Sequence, residues 1–64
     1  MDIEQYIGKI CNITLKRPVV IDNKYAYNIT GKLCKYGYLK YYMSIGKDAA
    51  YFRKGDIKEI KLWA

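Results

Sequence analysis

Residues Tyr25 to Tyr36 read Tyr-Ala-Tyr-Asn-Ile-Thr-Gly-Lys-Leu-Cys-Lys-Tyr. Taken with a period of two, Tyr25, Tyr27, Ile29, Gly31 and Leu33 share one face, while Ala26, Asn28, Thr30, Lys32 and Cys34 share the other. β-Branched and aromatic side chains dominate, as they do in half-buried strands. The spacing predicts one long strand. Gly31 stands in its middle, where glycine marks a bend or the close approach of another backbone. A long strand bent at a glycine is how a small sheet turns a barrel corner.

The flanking segments repeat the pattern. From Lys9 onward, Cys11, Ile13 and Leu15 alternate with Ile10, Asn12, Thr14 and Lys16, which predicts a first strand. Pro18 lacks a backbone donor and is expected to interrupt it. Asp22-Asn23 is a turn signal. On the other side, Gly37 is expected to turn the chain into a third strand, Leu39 to Ile45, with Leu39, Tyr41, Met43 and Ile45 on one face. Gly46-Lys47-Asp48 predicts a hairpin turn. A fourth strand, Ala50 to Arg53, contains Tyr51 and Phe52. Lys54-Gly55-Asp56 is a short connection to a fifth strand, Ile57 to Leu62, with Trp63 near the end.

Only before Gly8 does the period lengthen. Ile3, Tyr6 and Ile7 fall on one helical face, Asp2 can cap the first turn, and Gly8 stops it. So short a helix does not hold alone in water and must pack on the sheet. The expectation is all-β: a small five-stranded antiparallel SH3-like barrel with a short N-terminal helix, residues 1–64 forming one domain.

Composition narrows the partners. A chain of 64 residues hides only about 60% of its unfolded surface, so burial against a partner subunit or ligand is expected to help it. It is 52% hydrophobic, with eight tyrosines, and carries a formal charge of +6. Disordered chains combine high charge with low hydrophobicity, and only the charge is present here. With a pI near 9.4, an anionic partner is implied, nucleic acid before an anionic membrane surface.

The acidic start Met1-Asp2-Ile3-Glu4 is unlike a signal peptide, and no apolar run approaches the ~18 residues of a membrane span. A cytoplasmic protein with reduced thiols and no membrane contact is expected. Two cysteines without histidine do not make a zinc site, and Cys11 and Cys34 are not spaced as a redox pair. Lack of histidine removes the commonest acid–base group at neutral pH. Asp22, Asp48 and Asp56 sit in turn contexts, and no phosphate loop or nucleophile motif is present. The expectation is a binding protein with no catalytic residue, cofactor or metal.

Between Asp22 and Asp48 there is no acidic residue, but there are five lysines and six tyrosines. Lysines hold phosphates as point charges, and tyrosine rings stack on unpaired bases. Period-two placement puts Tyr25, Tyr27 and Tyr41 with Ile29, Leu33 and Met43, which predicts core positions for them. Tyr36, Tyr38 and Tyr42 fall on the other face or in the turn. With Lys35 and Lys40 they form the densest binding candidate. Lys16-Arg17 is a second basic group. Arg53-Lys54 is a third, and an arginine there can grip a phosphate bidentately. Lys58 and Lys61 read as a solvated face.

The element order and local motifs resemble the Sm/LSm (Sm-like) family. Tyr6-Ile7-Gly8-Lys9, followed by alternating Cys11, Ile13 and Leu15, looks like the family's opening. Gly31-Lys32-Leu33 resembles the Gly-x-Leu of its first motif. Phe52-Arg53-Lys54-Gly55-Asp56-Ile57 resembles its second, Ile-Arg-Gly-Asp-Asn-Ile, with Arg53 on the basic position. The family's first motif continues with aspartate and then Met-Asn, places held here by Gly37, Lys40 and Tyr41. In the second motif glycine directly follows the basic residue, whereas Lys54 intervenes here.

The resemblance implies a homo-oligomer, with a ring formed by pairing the fourth strand of one subunit with the fifth of the next. It also implies nucleic-acid binding, but without the family's uridine pocket, whose aspartate and asparagine are missing. Charge and stacking are left to hold the ligand. The expected site is Lys35, Tyr36, Tyr38, Lys40, Tyr42, Arg53 and Lys54, binding RNA or single-stranded DNA. Two alternatives remain open at this point. One is a protein-interaction module, a small subunit or regulator of viral or plasmid origin, whose exposed tyrosines meet a protein partner. The other is a chromatin-like protein holding duplex DNA by charge.

Overall fold

The computed structural model describes residues 2–63. A 3-10 turn, Ile3–Tyr6, precedes β1 (Ile10–Ile21), β2 (Lys24–Gly37), β3 (Lys40–Ile45) and β4 (Asp48–Arg53). A second 3-10 turn, Lys54–Asp56, leads into β5 (Ile57–Leu62). The strands form one antiparallel sheet in the order β4-β3-β2-β1-β5. The fold is thus all-β, with β4 and β5 as the two edges.

Alternation builds the core. Cys11, Ile13 and Leu15 of β1, Leu33 of β2, Tyr41 and Met43 of β3, Ala50 and Phe52 of β4, and Ile57 and Ile60 of β5 join one buried cluster. Both edge strands contribute to it, so the sheet curls around that face. Ile3 from the first 3-10 turn is 1% exposed and sits in the same cluster, with Tyr6 and Ile7 packed against it. Each such aliphatic side chain gives roughly 1.5–3 kcal/mol on full burial. The segment expected as a short helix is therefore a 3-10 turn, capped as anticipated by Asp2 Oδ1, which accepts from the Glu4 N–H at 3.2 Å. Gly8, at φ +84°, ends it in a conformation that favours glycine.

Pro18 does not interrupt β1, which runs on to Ile21. What breaks is the register. Thr14 pairs with Asn28 and Val19 with Ala26, so Leu15 to Pro18 stand opposite Tyr27 alone. A bulge of this kind absorbs a residue that cannot donate to the ladder.

Tyr25 and Tyr27 are not core residues; they are 78% and 56% exposed. β1 pairs with β5 only over Cys11 to Leu15, and β2 pairs with β3 only from Lys32 onward. Lys16 to Tyr27 is therefore a two-stranded ribbon with no third strand beside it. Beyond the register shift the inward phase changes: Ala26, with its partner Val19 and with Ile21, packs against the core, and Tyr25 and Tyr27 are left in solvent. Tyr41, with the same parity on a central strand, is fully buried as expected. Leu39, expected in β3, is in the β2–β3 turn at φ +57°. Among the described residues no helix is long and apolar enough to cross a membrane.

Candidate nucleic-acid interface

With Tyr41, Met43, Ala50 and Phe52 turned inward, alternation sends Lys40, Tyr42 and Arg53 outward, together with Tyr51 and, on β2, Tyr36 and Cys34. Register then sets their neighbours. Tyr42 pairs with Cys34 on one side and Tyr51 on the other, and Lys40 pairs with Arg53.

The three tyrosines meet across three strands. The Tyr36 and Tyr51 rings are edge to face, 5.4 Å between centroids at 89°. Tyr42 lies 5.5 Å from Tyr51 and 6.1 Å from Tyr36. Edge-to-face and tilted contacts suit the ring quadrupoles, and cross-strand aromatic pairs stabilise a sheet. The cluster nonetheless keeps an open surface, since Tyr36 and Tyr51 are 53% and 60% exposed. A hydrogen bond with the Cys34 side chain beside Tyr42 pushes its phenol above the ordinary value.

Along the same face, two residues beyond Tyr42 and Tyr51, Lys40 and Arg53 open onto a cleft of about 460 Å³. Tyr38, Lys54 and Asp56 also line it. Two turns form its walls. The Lys54 N–H donates to the Leu39 carbonyl at 3.1 Å, which ties the β2–β3 turn to the second 3-10 turn. The left-handed Leu39 aims that carbonyl, and Asp56 Oδ2 accepts from the Arg53 N–H at 3.2 Å. Tyr38 stands at the cleft's rim, 84% exposed. Lys40, Arg53 and Lys54 thus line the cleft with one carboxylate, Asp56, which leaves it with an excess of positive charge.

Of the residues expected in the site, Tyr36, Tyr42, Lys40, Arg53, Tyr38 and Lys54 belong to this continuous surface. Lys35 does not. Its odd position places it beside the core, where it pairs with Tyr41 across the ladder. Its Nζ lies 2.6 Å from Glu4 Oε1 and 5.7 Å from the Tyr41 ring centroid. The buried Tyr41 hydroxyl donates to the same Glu4 oxygen at 2.9 Å. Lys35 first, and then Tyr41, hold the Glu4 carboxyl below its usual range. Glu4 in turn raises Lys35, while burial first and Glu4 second push the Tyr41 phenol up. Lys35 is committed to a clasp between the N-terminal turn and the sheet, the one ion pair among the described residues.

Sequence reasoning misses Tyr51 because it lies outside the acid-free window. Its signal is local: it alternates with Phe52, so one of the two has to face outward. No family model matches the chain, and no curated protein or solved structure matches it either.

Proposed function

We propose that this chain is a non-catalytic, Sm-like barrel that binds RNA or single-stranded DNA through the outer face of β2, β3 and β4. One observation carries the reading: three mutually packed tyrosines, two of them (Tyr36 and Tyr51) more than half exposed, adjoin Lys40 and Arg53 on one continuous face. Bases stack on Tyr36, Tyr42 and Tyr51, while Lys40, Arg53 and Lys54 receive phosphates at the cleft. Tyr38 extends the stack from the rim. Such a surface is tolerant of sequence, because every base has a π-face.

The barrel assignment draws support from the strand order, from Gly31 and from a core that includes both edge strands. β4 and β5 do not pair with one another, so each has an edge open to a second copy. A homo-oligomeric ring joined β4 to β5, acting in the cytoplasm, is the assembly that fits the family resemblance.

The test is fluorescence anisotropy with labelled oligo-U, oligo-dT and duplex DNA at several salt concentrations. Single strands are expected to bind more tightly than duplex, with affinity falling steeply as salt rises. Equal affinity for duplex would favour charge alone. Absence of binding to all probes, with recovery of a nuclease-resistant protein partner, would assign the tyrosines to a protein interface instead.

A further inference from the structure

The ribbon formed by Lys16 to Tyr27 is not used by the site described above. We propose that it is a second contact for the same nucleic-acid strand; this rests on the reading that the chain binds single strands. The register shift lifts Lys16 and Arg17 out of the ladder, opposite the exposed Tyr27. Beyond the shift, Val20 and Tyr25 oppose one another, 59% and 78% exposed. Lys24 pairs with Ile21 at the end of the ladder. The ribbon thus sets three cations and two open phenol rings against a single acid, Asp22.

The ribbon is held in shape. Asp22 and Asn23 both have left-handed backbones, φ 52° and 61°, so a two-residue turn closes it with the twist that hairpins favour. Val19, Ile21 and Ala26 pack against the core and anchor it. Tyr25 and Tyr27 therefore stay in solvent on a braced support. Rings held in this way beside cations suit unpaired bases and their phosphates. A lipid surface fits less well, because the tip that would enter it carries Asp22 and Asn23, not apolar side chains.

Both binding surfaces lie on a molecule whose longest extent is 30 Å. A strand long enough to bridge them benefits because its second attachment is intramolecular, and a short strand does not. The proposal therefore predicts affinity that depends on length.

The experiment compares oligo-dT of about 5 and about 15 nucleotides, the range one small barrel covers. The wild-type chain and two ribbon variants, Lys16→Gln/Arg17→Gln and Tyr25→Ser, are measured by anisotropy across a salt series. Thermal melting confirms that these exposed substitutions leave the fold intact. Wild type is expected to bind the longer strand at least tenfold more tightly than the shorter. Each variant should bind the long strand about tenfold more weakly and change little on the short one. The charge variant should also flatten the slope of log affinity against log salt by about 1.4, or 0.7 for each phosphate that is no longer neutralised, while Tyr25→Ser leaves the slope unchanged.

Ribbon variants that match wild type on both strands, while Arg53→Gln weakens both, would overturn the ribbon's role alone. Wild type that binds neither strand would overturn that role together with the functional reading beneath it. Ribbon variants that no longer bind phosphatidylserine vesicles, with oligonucleotide binding unchanged, would make the ribbon a lipid-binding element and overturn the proposal.

Discussion

The carbonyl oxygen of Ser44 lies against Gly31: a Cβ built on the glycine would stand 2.5 Å from that oxygen and 3.0 Å from Ile45 Cγ1. The first obstacle is backbone, so it does not swing away. Gly31 permits the end of β3 to close on the middle of β2. Gly31→Ala should cost about 3 kcal/mol, the upper range for forcing an extra carbon into a packed site. Gly55→Ala, where an added carbon meets nothing within 4 Å, should stay within about 0.5 kcal/mol. Urea denaturation of the two variants checks this. Equal midpoints would mean that the approach at Gly31 relaxes without cost.

Much of this architecture is legible in the sequence because period two leaves a strong signal wherever one face is covered. Alternation turns Cys11, Ile13, Leu15, Tyr41 and Met43 inward, and all are buried. The same rule fails for Tyr25 and Tyr27. Past the register shift it is Ala26, of the opposite parity, that packs against the core, and period two cannot announce that change of phase. Lys35 escapes it for a related reason. Its charge suggests solvent, but its partner Glu4 lies 31 positions away in the chain, a pairing that no local pattern reveals. The tyrosine surface is half legible: Tyr36 and Tyr42 follow from parity, whereas their meeting with Tyr51 depends on the β3–β4 register.

The clasp at Glu4 gives stability a defined pH window. In the folded chain the Glu4 carboxyl is held below its ordinary 4.5, so its contribution is complete above that value and is lost as pH falls through the depressed one. Tyr41 and Lys35 are raised above their ordinary 10.0 and 10.5, so their contributions are present below those values and are lost as pH rises through the raised ones. Melting temperature should therefore be flat through the neutral range and decline at both ends. Glu4→Gln should flatten the acid decline. Tyr41→Phe should cost about 1 kcal/mol at neutral pH, because its hydrogen bond to Glu4 is removed. An acid limb unchanged in Glu4→Gln would show that the carboxyl does not carry it.

Assigning Lys35 to the clasp separates it from Lys40, although charge alone groups the two. Lys35→Ala should lower the melting temperature and leave oligonucleotide affinity within about twofold. Lys40→Ala should do the reverse, flattening the salt slope by about 0.7 because one phosphate of a single strand goes unneutralised. Anisotropy and thermal melting on the same preparations decide it. A larger fall in affinity from Lys35→Ala at a temperature where it stays folded would return that residue to the site.

Tyr51 tests whether the aromatic cluster stacks bases or only staples strands. Removing the ring in Tyr51→Ala deletes its packing on Tyr36 and Tyr42, and about 1 kcal/mol of cross-strand stabilisation should go with it. Stacking on a base is worth ~1–3 kcal/mol per ring, so affinity should fall roughly tenfold or more. Tyr51→Phe keeps the π-face and should preserve both properties. Tyr51→Leu keeps bulk and apolar packing without a ring. If it restores stability but not affinity, the ring itself meets the nucleic acid. If it restores both, the cluster acts through packing alone.

Lys40 and Arg53 face each other across the β3–β4 ladder, so two like charges stand on a pair of opposed positions. Like charges directly opposite destabilise a sheet, and neither has an ion-pair partner among the described residues. The repulsion is relieved when an anion lies between them, so the two should act on one phosphate as a unit. Arg53→Lys retains the charge without the planar fork that grips two oxygens, and should weaken affinity with little change in salt slope. Arg53→Gln should reduce both. In a double-mutant cycle with Lys40→Gln, the effect of the pair should depart from the sum of the single effects by about 0.5 kcal/mol or more. Strict additivity would mean that they hold different phosphates. The free protein provides the complementary reading: either single neutralisation should raise its melting temperature slightly in low salt, and that increase should fade as salt screens the pair.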